Sequence, residues 1–158
     1  MNISIICVGK VKEKYFTAAS DEYKKRLSRF TKLEIIEVPD EKIPDNASEK
    51  EIENIKNKEG LAILSKLKNN GSVIALCIEG TELTSEQLAG QTERFLMNGS
   101  NLYFIIGGSL GLSDEVKKRA DLKLSFGRMT LPHQLMRVVL IEQIYRAFKI
   151  NHNESYHK

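Results

Sequence analysis

The sequence predicts an α/β fold, a single domain built on a mainly parallel sheet with helices on both faces. Five apolar runs of strand length alternate with stretches of helical periodicity along its 158 residues. One of them, Val73-Ile74-Ala75-Leu76-Cys77-Ile78, is apolar without interruption, as a strand covered on both faces must be. Two helix starts carry capping boxes, Ser48 with Glu51 and Thr84 with Gln87, in which side chain and backbone satisfy each other's unpaired groups.

Taken in order, Ile3 to Val8 is a buried strand, and Glu13 to Arg29 is a helix whose apolar positions Phe16, Ala19, Tyr23 and Leu27 recur every three or four residues. Leu33 to Val38 is a second strand, and Pro39 opens a polar loop that runs to Ala47. The first capping box opens a helix to about Leu67, which Asn69-Asn70-Gly71 ends. The third strand runs from Val73 to Ile78, and Glu79-Gly80-Thr81 turns the chain into the helix of the second capping box. Leu102 to Ile106 is a fourth strand, Ser113 caps a short helix ending near Ala120, and Leu122 to Phe126 is a short fifth strand. The last helix, Pro132 to Asn151, is apolar nearly all round. Such a helix must be covered on more than one side, which predicts a dimer interface.

Hydrophobic content of 41% and charged content of 28% are those of a globular protein, and no apolar run approaches the roughly 20 residues of a membrane span. Cys7 and Cys77 sit inside strand runs with no Cys-x-x-Cys spacing, so both read as buried reduced thiols and the cytoplasm fits best. Net charge is only +3, but residues 1–32 hold eight Lys and Arg against three Asp and Glu, and residues 117–158 hold nine against three. Basic ends around an acidic middle suit a polyanion such as RNA, or else are simply solvated surface.

Two loops carry the functional signal. Gly107-Gly108-Ser109-Leu110-Gly111 follows the fourth strand, and Phe126-Gly127-Arg128-Met129-Thr130-Leu131-Pro132-His133 follows the fifth. Paired loops at strand ends mark a ligand site in an α/β sheet. Neither a dinucleotide fingerprint nor a P-loop is present. Gly108-x-x-Gly111 follows a strand, whereas the Gly-x-x-Gly loop of a KH domain joins helices. No serine stands in Gly-x-Ser-x-Gly, and His133, His152 and His157 have no metal-ligand spacing. His133 reads by default as a helix-start packing residue, and Arg137 and Arg146 as the polar edge of the last helix. The polar tail from Asn151 to Lys158 holds His152, Tyr156, His157 and Lys158, and an aromatic to stack on a base with a cation near phosphate is what capturing an exposed nucleotide requires.

The strand leading to Gly107-Gly108-Ser-x-Gly111, then Leu124-Ser125-Phe126 and Met129-Thr130-Leu131-Pro132-His133, then Arg137-Val138-x-Leu140-x-Glu142-Gln143-x-Tyr145-Arg146-Ala147, and finally Tyr156-His157, resemble the RlmH family of SPOUT methyltransferases. The likeness covers the whole chain, from Val8-Gly9-Lys10 onward. It implies one SPOUT domain over residues 1–158 with a C-terminal trefoil knot, an exception to the rule against threaded chains. It further implies transfer of a methyl group from S-adenosyl-L-methionine to N3 of a pseudouridine in large-subunit (23S) ribosomal RNA, by a cytoplasmic homodimer acting on the assembled ribosome, with no metal and no membrane. Leu76, Gly107, Phe126, Gly127, Arg128, Met129, Thr130 and Leu131 would hold the cofactor, and His133, Tyr156 and His157 are candidates for a catalytic group. A non-catalytic RNA-binding module and a small-molecule methyltransferase are the alternative readings.

Overall fold

A computed structural model describes all residues from Met1 to Lys158. Strands and helices alternate throughout: β1 (Asn2–Val8), α1 (Lys14–Leu27), β2 (Lys32–Val38), α2 (Glu49–Leu64), β3 (Gly71–Glu82), α3 (Ser85–Asn98), β4 (Asn101–Ile106), α4 (Asp114–Arg119), β5 (Leu122–Ser125) and α5 (His133–Asn151). The five strands form one sheet in the order β2-β1-β4-β3-β5, and every pairing is parallel. No helix is long and apolar enough to cross a membrane.

Both sheet faces are covered, as the unbroken apolar strands require. On one face Leu27 of α1, Leu88, Phe95 and Leu96 of α3 and Leu140, Ile141, Ile144 and Phe148 of α5 pack on Ile3, Ile5, Ile74 and Phe104. On the other, Ile63 of α2 and Val116 of α4 pack on Ile6, Val73, Ala75 and Ile105. The capping boxes form as read: the Ser48 and Thr84 hydroxyls accept the backbone N–H of Glu51 and Gln87, both at 3.1 Å. Those side chains accept the cap N–H groups in return, at 3.2 and 2.8 Å.

Two expectations need correction. The chain does not turn out of the sheet at Glu79-Gly80-Thr81; β3 continues to Glu82 around an irregularity between Leu76 and Thr81. β5 pairs with both parts, Leu124 facing Leu76 and again Thr81, while Ser125 faces Glu82. Gly80 permits this: a Cβ there would lie 2.7 Å from the carbonyl oxygen of Lys123. Its role is close passage of two backbones rather than a turn.

The second correction concerns α5. It lies between α1 and α3 over the sheet, so Leu140, Ile141 and Ile144 are fully buried within one protomer. Its all-round apolarity is therefore mostly accounted for by the core. What stays incompletely covered is its first half, where Leu135, Met136, Val138 and Val139 are only half-buried.

Candidate active site

The site stands at the carboxyl ends of β3, β4 and β5, where an open parallel sheet leaves room for ligands. A cavity of about 680 Å³ opens there, within the roughly 300–1,000 Å³ typical of small-molecule sites. Its floor is Leu76 and Ile106, one wall is the glycine loop after β4, and the opposite wall is the loop between β5 and α5. Apolar side chains dominate the middle, with Leu112, Leu124, Met129, Leu131 and Met136 joining the floor residues.

Both loops are shaped by their own residues. In the first, Gly111 adopts φ +84° and donates its N–H to the Gly108 carbonyl at 3.0 Å, closing a tight turn. At Gly107 a Cβ would stand 2.9 Å from Leu112 Cδ2 and 3.1 Å from the Gly111 carbonyl carbon, so this glycine is needed first by the loop's own packing. In the second loop the buried Ser125 is the pin. Its hydroxyl donates to the Ile78 carbonyl at 2.8 Å and accepts the Gly127 N–H at 3.1 Å. Gly127, at φ +114°, then swings the chain outward with open space on its Cβ side.

The cavity wall toward α2 and α4 is charged. Lys117 Nζ lies 2.5 Å from Glu79 Oε1, and Lys56 stands on the same wall. The hydrogen bond from Lys117 lowers the Glu79 carboxyl below its ordinary value, and the same bond raises Lys117. Both remain charged at neutral pH. Behind the glycine loop Glu59 is buried and accepts the Glu41 N–H at 3.0 Å; burial raises its carboxyl. Burial likewise raises Cys77 beneath the cavity and pushes Cys7 up to about 11, so neither thiol is poised as a nucleophile.

Of the residues expected to hold a cofactor, Leu76, Gly107, Phe126, Gly127, Met129, Thr130 and Leu131 line this cavity, and so does His133. Arg128 is exposed and does not line it. Tyr156 and His157 are not brought to their own chain's cavity. The Tyr156 hydroxyl donates to Glu142 Oε1 at 3.1 Å, its ring lies under the Arg146 guanidinium at 4.6 Å, and it meets Tyr145 edge-on at 4.9 Å. His157 Nε2 is 2.7 Å from Glu86 Oε1. Arg146, which also bonds Glu142 Oε1 at 2.7 Å, is thus the centre of a tail-binding network rather than a solvated helix edge.

Arg137 also departs from expectation. It is 4% exposed. Its Nη1 bonds Glu37 Oε2 at 3.0 Å and its Nη2 donates to the Gly9 carbonyl at 3.3 Å. Sequence reasoning missed Lys56, Glu79, Lys117 and Arg137, because each reaches its place only through the order of the strands.

A doubly covered parallel sheet with a strand-end cavity between a glycine loop and a second backbone loop is an α/β fold with a small-molecule site of the kind α/β enzymes use. The family described as Predicted SPOUT methyltransferase matches residues 1–157, and this chain belongs to it, a methyltransferase by family. Among its relatives, a protein named Ribosomal RNA large subunit methyltransferase H 1 from Clostridium perfringens (strain SM101 / Type A) is 63% identical over the full length of both chains. Proteins named Ribosomal RNA large subunit methyltransferase H from Clostridioides difficile (strain 630) and Lactiplantibacillus plantarum are 62% and 58% identical, again over both full lengths.

Proposed function

We propose that this chain methylates N3 of a pseudouridine in large-subunit ribosomal RNA, using S-adenosyl-L-methionine, on the assembled ribosome in the cytoplasm. The observation that carries the reading is full-length identity of about 60% to proteins named for methylation of that RNA, and the cavity supplies the chemistry to match. Its apolar middle suits an adenosine and a sulfonium, and the backbone of both loops offers donors and acceptors to an adenine edge. The Lys117–Glu79 pair with Lys56 suits an amino-acid zwitterion.

S-adenosyl-L-methionine bound there supplies a methyl group activated by a positive sulfur. What the protein must add is alignment, holding the accepting nitrogen about 3–3.5 Å from the methyl carbon on the side opposite sulfur. The protein would also have to let the N3 proton leave, to a base or to water, as that nitrogen accepts the methyl group. His133 is the candidate on the cavity wall. Tyr156 and His157 would act at a partner's cavity, since their own chain holds them away from its own.

The dimer that this arrangement needs has a surface. Half-buried Leu135, Val138 and Val139 continue into exposed Phe126, Met129 and Leu131, the last three being 38%, 87% and 38% exposed. A contiguous apolar patch beside a ligand site is characteristic of an interface. The family's trefoil knot is part of the same reading.

Calorimetry with S-adenosyl-L-methionine tests the proposal. Saturable binding that Gly107→Ala weakens at least about tenfold is the expected result, because the added Cβ displaces the loop against Leu112. No detectable binding by the purified protein would overturn it.

A further inference from the structure

The β1–α1 loop, Gly9 to Glu13, sits beside the cavity and is held with more care than its exposure explains. Gly9 turns with φ +89°, donates its N–H to Val38 at 2.8 Å and gives its carbonyl to the buried Arg137. The Val11 N–H is accepted by Glu37 Oε2 at 3.3 Å, the same oxygen that Arg137 bonds, and the Lys12 N–H by Gln134 Oε1 at 3.0 Å. The loop is thus tied to the end of β2 and to the first turn of α5. A Cβ on Gly9 would lie 3.5 Å from the ring of His133, which lines the cavity.

Such a frame is unfavourable by itself. A guanidinium is buried, and its Nε has no partner. Apart from half-buried Val11, the loop contributes no apolar side chain to the core. What the frame presents is charge: Lys10, Lys12 and Lys14 are all exposed, and none takes part in an ion pair. Glu37 is already satisfied by Arg137, which leaves Glu13 and Asp40 as the carboxylates of this rim. A buried ion pair that fixes an exposed cationic loop next to a reaction cavity is understandable when the loop must meet a fixed anion there.

We propose that Lys10 and Lys12, fixed by the Arg137–Glu37 frame, contact backbone phosphates of the RNA flanking the nucleotide to be methylated. The inference rests on the functional reading above and adds to it the surface that grips the substrate. Phosphate contacts position a nucleic acid without reading sequence, so the effect belongs to substrate binding and its salt dependence rather than to the chemical step.

The test compares two charge-matched variants by fluorescence anisotropy with a labelled single-stranded RNA oligonucleotide across a salt series. One is Lys10→Ala/Lys12→Ala. The other is Lys66→Ala/Lys68→Ala, an exposed pair at the opposite end of the parallel strands, next to the start of β3. The first should weaken RNA binding about tenfold or more at 0.1 M salt and reduce the slope of log affinity against log salt by about 1.4, two phosphates at roughly 0.7 each. The second should change affinity less than about twofold. S-adenosyl-L-methionine binding should be unchanged in both, and on ribosomes the loop variant should raise KM with little loss of kcat. Equal weakening by the two pairs, wild-type affinity in the loop variant, or loss of cofactor binding by it would each overturn the proposal. Failure of the wild type to methylate ribosomes would instead sink the substrate assignment, while the anisotropy comparison still decides whether the loop binds RNA.

Discussion

Replacing Arg137 with Met removes the frame while keeping the apolar stem that α5 packs around. Two hydrogen bonds from a charged donor disappear, one to Glu37 at 3.0 Å and one to the Gly9 carbonyl at 3.3 Å. Charge-assisted bonds of this kind contribute about 1.5–3 kcal/mol each when fully buried. The Glu37 bond counts for less, because that carboxylate's side chain is 37% exposed and water replaces the lost donor. The Gly9 bond is long, and removing a buried guanidinium with an unpaired Nε offsets part of the loss. The net is a destabilisation of about 2 kcal/mol, or about 4–8 °C in Tm for a chain of this size. Thermal denaturation measures the total, and amide hydrogen exchange locates it. The Val11 and Lys12 amides should lose protection while those of β3 and β4 keep theirs. A Tm within about 1 °C of wild type with unchanged exchange at Val11 would refute the view that Arg137 holds this loop.

Ile141→Glu should unfold the protomer, because the site is fully buried in the α1–α3–α5 core and an unpaired charge there is destabilising by several kcal/mol; Val139→Glu should instead give folded monomers in sedimentation velocity where the wild type sediments as the proposed dimer, and a monomeric wild type or a dimeric Val139→Glu would refute that interface. Burial holds the Cys7 thiol protonated to about 11 against an ordinary 9.0, so the folded state keeps a proton that the unfolded state loses between those values. Stability should therefore fall as pH rises through that window, a slope that Cys7→Ala should reduce and that urea titrations at pH 8 to 11 can read. Deleting Tyr156 to Lys158 should leave cofactor binding and dimerisation intact and lower ribosome methylation at least about 100-fold, on the order of 2.7 kcal/mol of transition-state stabilisation; unchanged turnover would show that the tail only packs against Glu142 and Arg146 of its own chain.

The parts of the fold that were legible in the sequence are those decided within a few residues. The capping boxes at Ser48 and Thr84 close over three residues, and Pro132, which has no N–H to give a preceding turn, marks the start of α5 as its N-cap. The two site loops were legible for a similar reason, since glycine-rich backbone directly after an apolar strand is a local pattern. Arg137 was read as a helix edge because its partners are 100 and 128 residues away, and helical spacing alone cannot reveal them. The continuation of β3 past Ile78 was hidden because Gly80 reads as a turn, and only the pairing of β5 beside it shows that the strand goes on. Lys56, Glu79 and Lys117 come from α2, β3 and α4, and nothing in their own neighbourhoods announces a common wall. The surplus apolarity of α5 was read as an interface, but most of it faces the core of its own protomer. A covered core helix and an interface helix have the same composition, and only burial separates Ile141 from Val139.

Methylation of the ribosome can be followed directly by incubating unmodified ribosomes with the enzyme and S-adenosyl-L-methionine carrying a deuterated methyl group, then mapping the label in digested ribosomal RNA by mass spectrometry. The expected result is one labelled methyl per large subunit, on a pseudouridine and at N3. Label on another nucleoside, label in the small-subunit RNA, or cofactor bound with no label transferred would contradict it.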